Sequence, residues 1–182
     1  MSSVYVLEGF LSPQECETAR TLFPPQQASA INTINTVDGV SVIPKTRRSK
    51  TSFLPIDCDA RLDLSGKLWA ALLRANRVQF HFDLDECERL QLATYDLGAE
   101  YNWHLDIGPG EAGRRKLSAS VQLSNPSDYD GGDLEIWGAS GGERGWGALI
   151  VFPSYMLHRV SPITRGVRHS LVAWARGKRS YR

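Results

Sequence analysis

Two histidines and an aspartate are the side chains of this sequence best suited to hold a metal ion. His104 and Asp106 stand two positions apart at the end of a predicted strand, and His158 follows the apolar run Gly147 to Pro153. Side chains two apart on a strand point to one face, so both can reach the same ion. Two histidines and one carboxylate leave coordination positions open, an arrangement typical of iron(II) sites that react with oxygen. The HExxH pattern of many zinc hydrolases is absent.

A second group of candidate residues lies on the predicted strand Val167 to Arg176. Alternation along this strand places Arg168, Ser170 and Trp174 on one face. If that face lines a pocket, the planar guanidinium of Arg168 suits a carboxylate, and Ser170 adds a hydroxyl. A surface arginine is the alternative, but an inward arginine needs an anion because a buried unpaired cation is costly. This pattern predicts an anchor for the distal carboxylate of a diacid.

The predicted strand Lys116 to Ser124 has one apolar and one polar face. Its polar positions, Ser118, Ser120 and Gln122, either face solvent or line the mouth of the same pocket.

Helices are predicted in the first half of the chain. Ser12 followed by Pro13 and Glu15 is typical of a helix N-terminus, so a helix should run to Phe23 after a short strand at Val4 to Gly9. A second helix is predicted from Asp59 to Asn76. Its leucines recur on one helical face and are expected in the core: Leu62, Leu64, Leu68, Leu72 and Leu73.

The segment Pro24 to Lys50 is polar and shows no clear periodicity. We interpret it as an irregular stretch that is either floppy or a lid over the site. Its basic residues could meet a carboxylate of a substrate: Lys45, Arg47, Arg48 and Lys50.

The second half of the chain is rich in short apolar runs separated by glycines. No connection between these runs is long enough for a crossover helix, so an antiparallel sandwich or jelly roll is predicted. The predicted strands are Leu90 to Tyr95, Glu100 to Asp106, Lys116 to Ser124, Asp133 to Trp137, Ala148 to Phe152 and Val167 to Arg176.

Bulk composition narrows the class of protein. A length of 182 residues suits one domain, and 21 basic against 20 acidic residues give no global attraction to nucleic acid or membrane. No apolar run is long enough to span a membrane and no secretory signal is visible, so we expect a cytoplasmic protein. Cys16, Cys58 and Cys87 form no CxxC pair and are interpreted as ordinary thiols.

Four ordered motifs between Leu90 and Arg176 make the interpretation more specific. They are Tyr95-x-x-Gly98-x-x-Tyr101-x-x-His104-x-Asp106, the run Arg115 to Ser124, Tyr129-Asp130-Gly131-Gly132-Asp133-Leu134, and Phe152-Pro153-Ser154-x-x-x-His158-Arg159-Val160-x-Pro162-Ile163-Thr164-x-Gly166-x-Arg168. In this order they resemble the iron(II)/2-oxoglutarate dioxygenases of the prolyl 4-hydroxylase-like superfamily, most closely the bacterial PKHD-type hydroxylases.

The resemblance implies a mainly β (α+β) fold, a double-stranded β-helix of the jelly-roll, cupin-like kind with flanking N-terminal helices. Residues 1–88 would be helical support with a lid, and 89–177 the β-helix core of one domain. It also implies roles for individual residues. His104, Asp106 and His158 match the iron ligands, and Arg168 matches the anchor of 2-oxoglutarate. Further co-substrate contacts are implied at Tyr95 and Trp174, and at Gln122, which replaces a tyrosine of some relatives. Ser170 joins this expected set through its place on the same strand face as Arg168.

The implied activity is hydroxylation of an unactivated C–H bond in an amino acid or peptidyl residue. Iron(II), 2-oxoglutarate and O2 would be required, with ascorbate as an accessory reductant, and succinate and CO2 would be released. Two alternatives stay open: oxidation of another small metabolite or of a nucleic-acid base, and a non-catalytic metal-binding module. Near-neutral charge argues against nucleic acid. The sequence does not indicate the oligomeric state.

Overall fold

The computed structural model describes residues 3–37, 40–54, 59–139 and 142–180. Within these ranges it also describes the side chains, except those of residues 29–46 and 59–62. No helix within these ranges is long and apolar enough to cross a membrane. The elements in chain order are β1 (Tyr5–Leu7), α1 (Pro13–Thr21), β2 (Gln27–Val37), β3 (Val40–Phe53), α2 (Asp59–Ala75), β4 (Glu86–Cys87), β5 (Gln91–Tyr95), β6 (Glu100–His104), β7 (Arg115–Gln122), β8 (Tyr129–Gly131), β9 (Leu134–Ile136), β10 (Leu149–Pro153), β11 (His158–Val160), β12 (Ile163–Gly166) and β13 (Arg168–Arg176).

Helix α1 begins as its sequence predicts. Ser12 Oγ accepts a hydrogen bond from the Glu15 backbone N–H at 3.2 Å, and the Glu15 carboxylate accepts one from the Ser12 N–H at 2.7 Å. This reciprocal capping satisfies two backbone donors that a helix start otherwise leaves unpaired. The helix ends at Thr21, two residues before the predicted Phe23.

Helix α2 confirms the predicted leucine stripe only in part. Leu64, Leu68 and Leu72 are buried, whereas Leu73 is 41% exposed. At about 100° per residue, Leu73 lies on the opposite side of the helix from Leu64 and Leu68, which face the core. The expectation for Leu73 was therefore wrong, and the side chain of Leu62 lies outside the described residues.

The prediction of an irregular segment at residues 24–50 is wrong. Strands β2 and β3 pair along their length, from Gln27 opposite Thr51 to Val37 opposite Val40. The C-terminal part of β3 also pairs with β5 and then with β6. The hydrogen bonds to neighbouring strands stabilise these polar strands, whereas their own sequence shows no clear alternation. Periodicity in the sequence therefore did not predict them.

The strands form an antiparallel, curled sheet, so the predicted jelly-roll class is confirmed. The main sheet runs β1-β10-β7-β13-β5-β3-β6-β11-β9, with β2 added on β3 and β4 on β13, while β8 and β12 pair separately. Every predicted strand of the second half appears within about two residues of its expected bounds. The helices lie against one face of this sheet.

The two faces of β7 and β13 have different environments. Their apolar positions pack in one core with α1 and α2, and they are Leu117, Ala119, Val121, Leu171, Ala173 and Ala175. Side chains of opposite parity are buried on the other face, and they are Ser118, Ser120, Gln122, Arg168, Ser170 and Trp174. The alternation of these strands therefore separates a structural core from a polar cavity.

Candidate active site

A cavity opens on the polar face of the sheet and collects most of the predicted site residues. The space between its lining atoms, its open mouth included, is about 460 Å³. The lining includes Tyr95, His104, Asp106, His158, Arg168, Ser170 and Trp174, together with Ser118 and Ser120. The alternative of solvent exposure for the polar face of β7 is thus excluded.

His104, Asp106 and His158 converge at one side of this cavity. Their ligand atoms all lie within 4.8 Å of one another. Asp106 Oδ1 is 3.6 Å from His104 Nε2, and Asp106 Oδ2 is 3.4 Å from His158 Nε2. Two imidazoles and one carboxylate on one side of a cavity provide a facial donor set with room for further ligands opposite.

Backbone carbonyls fix the orientation of both imidazoles. His104 Nδ1 is 2.7 Å from the Asn102 carbonyl oxygen, and His158 Nδ1 is 2.9 Å from that of Met156. Because a carbonyl oxygen only accepts, Nδ1 of each ring carries the proton and donates. The Nε2 atom of each ring is then directed at the shared centre, and its lone pair binds a metal when the ring is neutral.

Asp106 reaches this centre from beyond the end of β6. The strand stops at His104, so the expectation that Asp106 shares it was wrong, and a bend carries the carboxylate. Ser118 Oγ donates to Asp106 Oδ2 at 2.7 Å, and the Asp106 N–H donates to the Ser154 carbonyl at 3.0 Å. Arg115 donates to the Asp106 carbonyl oxygen at 3.2 Å. These contacts replace the strand as the support of the carboxylate.

The surroundings of Asp106 favour its ionised form. Burial raises the pKa of Asp106, but the positive charge that His158 and His104 carry when protonated, together with the hydrogen bond from Ser118, outweighs burial and lowers the pKa to about 2. The carboxylate is therefore available as a ligand at neutral pH.

Arg168 lines the same cavity and is almost completely buried, with 1% of its surface exposed. Its Nε and Nη2 donate to Gln122 Oε1 at 3.1 and 2.9 Å, and Nη1 donates to Ser170 Oγ at 3.5 Å. Its Cζ lies 5.5 Å from the Tyr95 ring centroid. Both hydrogen-bond partners are neutral, and no ion pair joins Arg168 to a described carboxylate. A buried guanidinium in this state favours an anionic ligand.

Gly132 lets the backbone pass close to Arg168. Its φ is +65°, and a Cβ there would lie 2.3 Å from Ile163 Cδ1 and 3.1 Å from Arg168 Cδ. A side chain at this position would displace both neighbours, so the glycine pair of the sequence motif serves the packing around Arg168.

Several residues that contact the site were not predicted to line the cavity, although Arg47 was expected to meet a substrate carboxylate from a lid segment. Arg47 on β3 lines the cavity, and Ser154 Oγ lies 3.0 Å from Ser118 Oγ. Arg115 binds the Glu88 carboxylate through two hydrogen bonds of 2.7 Å and stacks 4.0 Å above the Trp174 ring. Residues 47–52 are all polar, so no alternation of polar and apolar residues in the sequence marked this part of β3.

The match with a known family decides the class of this domain. Residues 90–176, which include the three clustered donors and Arg168, match the 2OG-Fe(II) oxygenase superfamily. These residues form a 2OG-Fe(II) oxygenase domain. The resemblance stated from the motifs is thereby confirmed, and iron(II), 2-oxoglutarate and O2 are the cofactors and co-substrates of this family.

Individual relatives agree with this class. A PKHD-type hydroxylase of Synechococcus sp. (strain JA-2-3B'a(2-13)) is 40% identical over 91 residues, covering 46% of this chain and 40% of that protein. The chain thus matches about two fifths of the length of that relative. A Pseudomonas putida prolyl-4-hydroxylase shares the fold with a TM-score of 0.68, 24% identity, and coverage of 98% and 95% of the two chains.

A further structural neighbour of the oxygenase domain is a prolyl hydroxylase of Trichoplax adhaerens, solved with a peptide fragment of the hypoxia inducible factor oxygen degradation domain. It superposes with a TM-score of 0.69 at 17% identity, covering 98% of this chain and 85% of that chain. Because identity in both solved structures is below a quarter, they establish the jelly-roll fold of this chain and no more.

Proposed function

We propose that the chain is an iron(II)- and 2-oxoglutarate-dependent hydroxylase of an amino acid or peptidyl residue. The observation that carries the proposal is that one cavity contains three clustered metal donors and a buried arginine that pairs with no described carboxylate. His104, Asp106 and His158 would hold iron(II), and Arg168 would bind the distal carboxylate of 2-oxoglutarate.

The chemistry supplied by bound iron(II), 2-oxoglutarate and O2 is oxidation of a C–H bond, coupled to decarboxylation of the co-substrate to succinate. The protein holds the donors in place through Ser118 and the two backbone carbonyls. Ser170, Tyr95 and Gln122 surround the guanidinium of Arg168, and Trp174 closes the wall beside Asp106. Such fixed positioning is the general contribution of a protein to cofactor chemistry.

An amino acid or peptide is the proposed substrate because the relatives named above are hydroxylases, and one of them is seen with a peptide. A nucleic-acid substrate is less well supported. Arg114, Arg115 and Lys116 form a basic run near the site, but its two arginines pair with Glu111, Asp85, Glu86 and Glu88. A cytoplasmic location and a lid role for residues 24–50 stay predictions.

The test is anaerobic loading of the purified chain with iron(II), followed by 2-oxoglutarate, ascorbate and oxygen. We expect succinate release that requires iron, and mass spectrometry of incubated amino-acid and peptide pools should show a product that gains one oxygen atom. Succinate release that persists after chelation of iron would contradict the proposal. Binding of iron without any turnover of 2-oxoglutarate would favour the non-catalytic module instead.

A further inference from the structure

The cavity contains a second buried arginine, which lies outside the part of the chain that matches the oxygenase family. Arg47 is on β3, directly opposite Tyr101 of β6, and only 8% of its surface is exposed. It lines the same cavity as the three metal donors and Arg168. Neither the proposed metal site nor the proposed co-substrate site accounts for a second buried arginine in the cavity.

The contacts of Arg47 are all with neutral groups. Its Nε donates to Ser49 Oγ at 2.8 Å, and its Nη2 donates to Gln91 Oε1 at 3.2 Å. Its Cζ lies 4.9 Å from the Tyr101 ring centroid. Among the side chains that the structure describes, no carboxylate forms an ion pair with Arg47. Two neutral oxygens leave part of the guanidinium fork free for a further acceptor in the cavity.

Two cations on the same strand are held differently. Arg48 pairs with Glu100 at 2.8 Å, and Lys50 pairs with Asp96 at 2.6 Å, and both side chains are more than half exposed. Exposed cations gain little from such partners, whereas a buried cation needs one most. On β3 the two exposed cations have anionic partners, whereas the buried Arg47 has none among the described residues. That reversal points to an anion that arrives as a ligand.

Charge balance indicates which ligand carries this anion. On the proposed function, iron(II) and Arg168 are positive, while Asp106 and the two carboxylates of 2-oxoglutarate are negative, and these charges cancel. Arg47 is then an excess cation in the filled cavity. The co-substrate has no third carboxylate to offer it, so the remaining candidate is the molecule that is oxidised.

We propose that Arg47 binds a carboxylate of the substrate, so that the enzyme selects acids over the corresponding amides. The inference rests on the proposed function and specifies its substrate class. Tyr101 contacts both groups: its ring centroid lies 3.4 Å from that of His104 and 4.9 Å from Cζ of Arg47. The carboxylate is thus held close to a metal donor. The source is either the main-chain carboxylate of a free amino acid or the side chain of a peptidyl Asp or Glu.

The experiment compares matched acids and amides as stimulators of succinate release by the iron-loaded enzyme. One arm uses the free L-amino acids and their amides, and the other uses capped tripeptides with a central Asp or Glu and their Asn and Gln counterparts. We expect at least roughly tenfold preference for the acids in one arm, the size of one charge-assisted contact. The arm that responds identifies the source of the carboxylate.

Variants assign this preference to Arg47. Arg47→Gln should abolish the preference for acids, whereas Arg48→Gln, which removes an exposed charge one residue away, should retain it. Thermal unfolding of both variants checks their folding. If Arg47→Gln does not fold, Arg47→Lys replaces it and should keep a reduced preference, because the charge remains but the planar fork is lost.

Three outcomes would overturn the proposal. The first is equal stimulation by acids and amides, or no stimulation by any acid while uncoupled turnover of 2-oxoglutarate proceeds. The second is an unchanged preference in Arg47→Gln. The third is a loss of 2-oxoglutarate affinity in zinc-loaded Arg47→Gln as large as in Arg168→Gln, which would assign Arg47 to the co-substrate. Absence of any turnover would instead reject the proposed function itself.

Discussion

The two buried arginines of the cavity are supported in different ways. Arg168 lies on β13, between β7 and β5, and its guanidinium is held by Gln122 and Ser170. Arg47 lies where β3 leaves β5 and begins to pair with β6. One arginine is thus built into the centre of the sheet, and the other into a strand supplied by the long hairpin of β2 and β3.

This difference divides the cavity into a part within the region that matches the superfamily and a part outside that region. The metal donors and Arg168 all fall within residues 90–176, the region that matches the family. Arg47 and Ser49 lie outside it. We therefore expect changes near Arg168 to affect metal and co-substrate binding, and changes near Arg47 to affect the choice of substrate.

The largest effect is expected from Asp106→Ala, which removes the carboxylate that stands between the two histidines. Iron(II) affinity should fall at least about 100-fold, because two neutral imidazoles alone hold a divalent ion weakly. Titration of iron(II) under anaerobic conditions measures this effect. Asp96→Asn, which changes an exposed carboxylate paired with Lys50, is the matched control. Wild-type iron affinity in Asp106→Ala would disprove the proposed metal site.

Arg168→Gln should weaken 2-oxoglutarate binding by about 2–5 kcal/mol, because a buried charge-assisted pair is lost. Iron affinity should change little, since Arg168 contacts none of the three donors. Calorimetric titration of 2-oxoglutarate into the zinc-loaded variant tests this expectation. Arg165→Gln, at an exposed arginine paired with Asp130, is the control. Unchanged affinity in Arg168→Gln would remove the proposed anchor and with it the contrast between the two arginines.

Ser118→Ala should have a smaller effect at the metal centre. It deletes the 2.7 Å hydrogen bond to Asp106 Oδ2 and leaves Ser154 without that neighbour. Loss of an outer hydrogen bond to a metal ligand costs about 10- to 100-fold in affinity. Ser118→Thr keeps the hydroxyl and should restore binding. The visible absorption of the cobalt(II)-loaded protein reports ligand geometry, and an unaltered spectrum in Ser118→Ala would contradict the positioning role.

Alternation in the sequence predicted the site wherever one face of a strand is apolar. On β7 and β13 the apolar residues pack against the helices, so the opposite parity had to face the cavity. This was sufficient to place Arg168, Ser170 and Trp174 correctly. The predicted convergence of His104 and His158 depended on the family motifs as well, because a strand of three residues such as β11 shows no alternation.

The remaining part of the site arises from long-range pairing. Arg47 was assigned to an irregular basic segment because β2 and β3 have polar residues on both faces and no apolar stripe. Ser154 meets Ser118 only because β10 pairs with β7, with Pro153 opposite Leu117. Such contacts depend on the register of distant strands, which no local pattern specifies.

The smallest expected effect concerns the reverse face of β13. His169 is adjacent to Arg168 but points away from the cavity, with Nδ1 3.2 Å from Ser124 Oγ and 3.5 Å from Arg20 Nη1. Burial, and then the positive charge of Arg20, lower the pKa of His169 from 6.5 to about 4. The folded state therefore binds the proton less readily than the unfolded chain does.

This difference makes folding stability depend on pH in a defined direction. Above pH 6.5 His169 is neutral in both states, and as the pH falls towards 4 the unfolded state takes up the proton first and is favoured. The free energy of unfolding should decrease by about 2 kcal/mol over this interval, less than full burial would give because the ring keeps some contact with water.

In His169→Asn this part of the pH dependence should disappear, whereas His81→Asn, at an exposed histidine, should retain it. Urea unfolding at pH 7 and pH 4 measures the difference. If His169→Asn instead weakened 2-oxoglutarate binding as Arg168→Gln does, the two faces of β13 would not be independent, and the separation of core from cavity would fail.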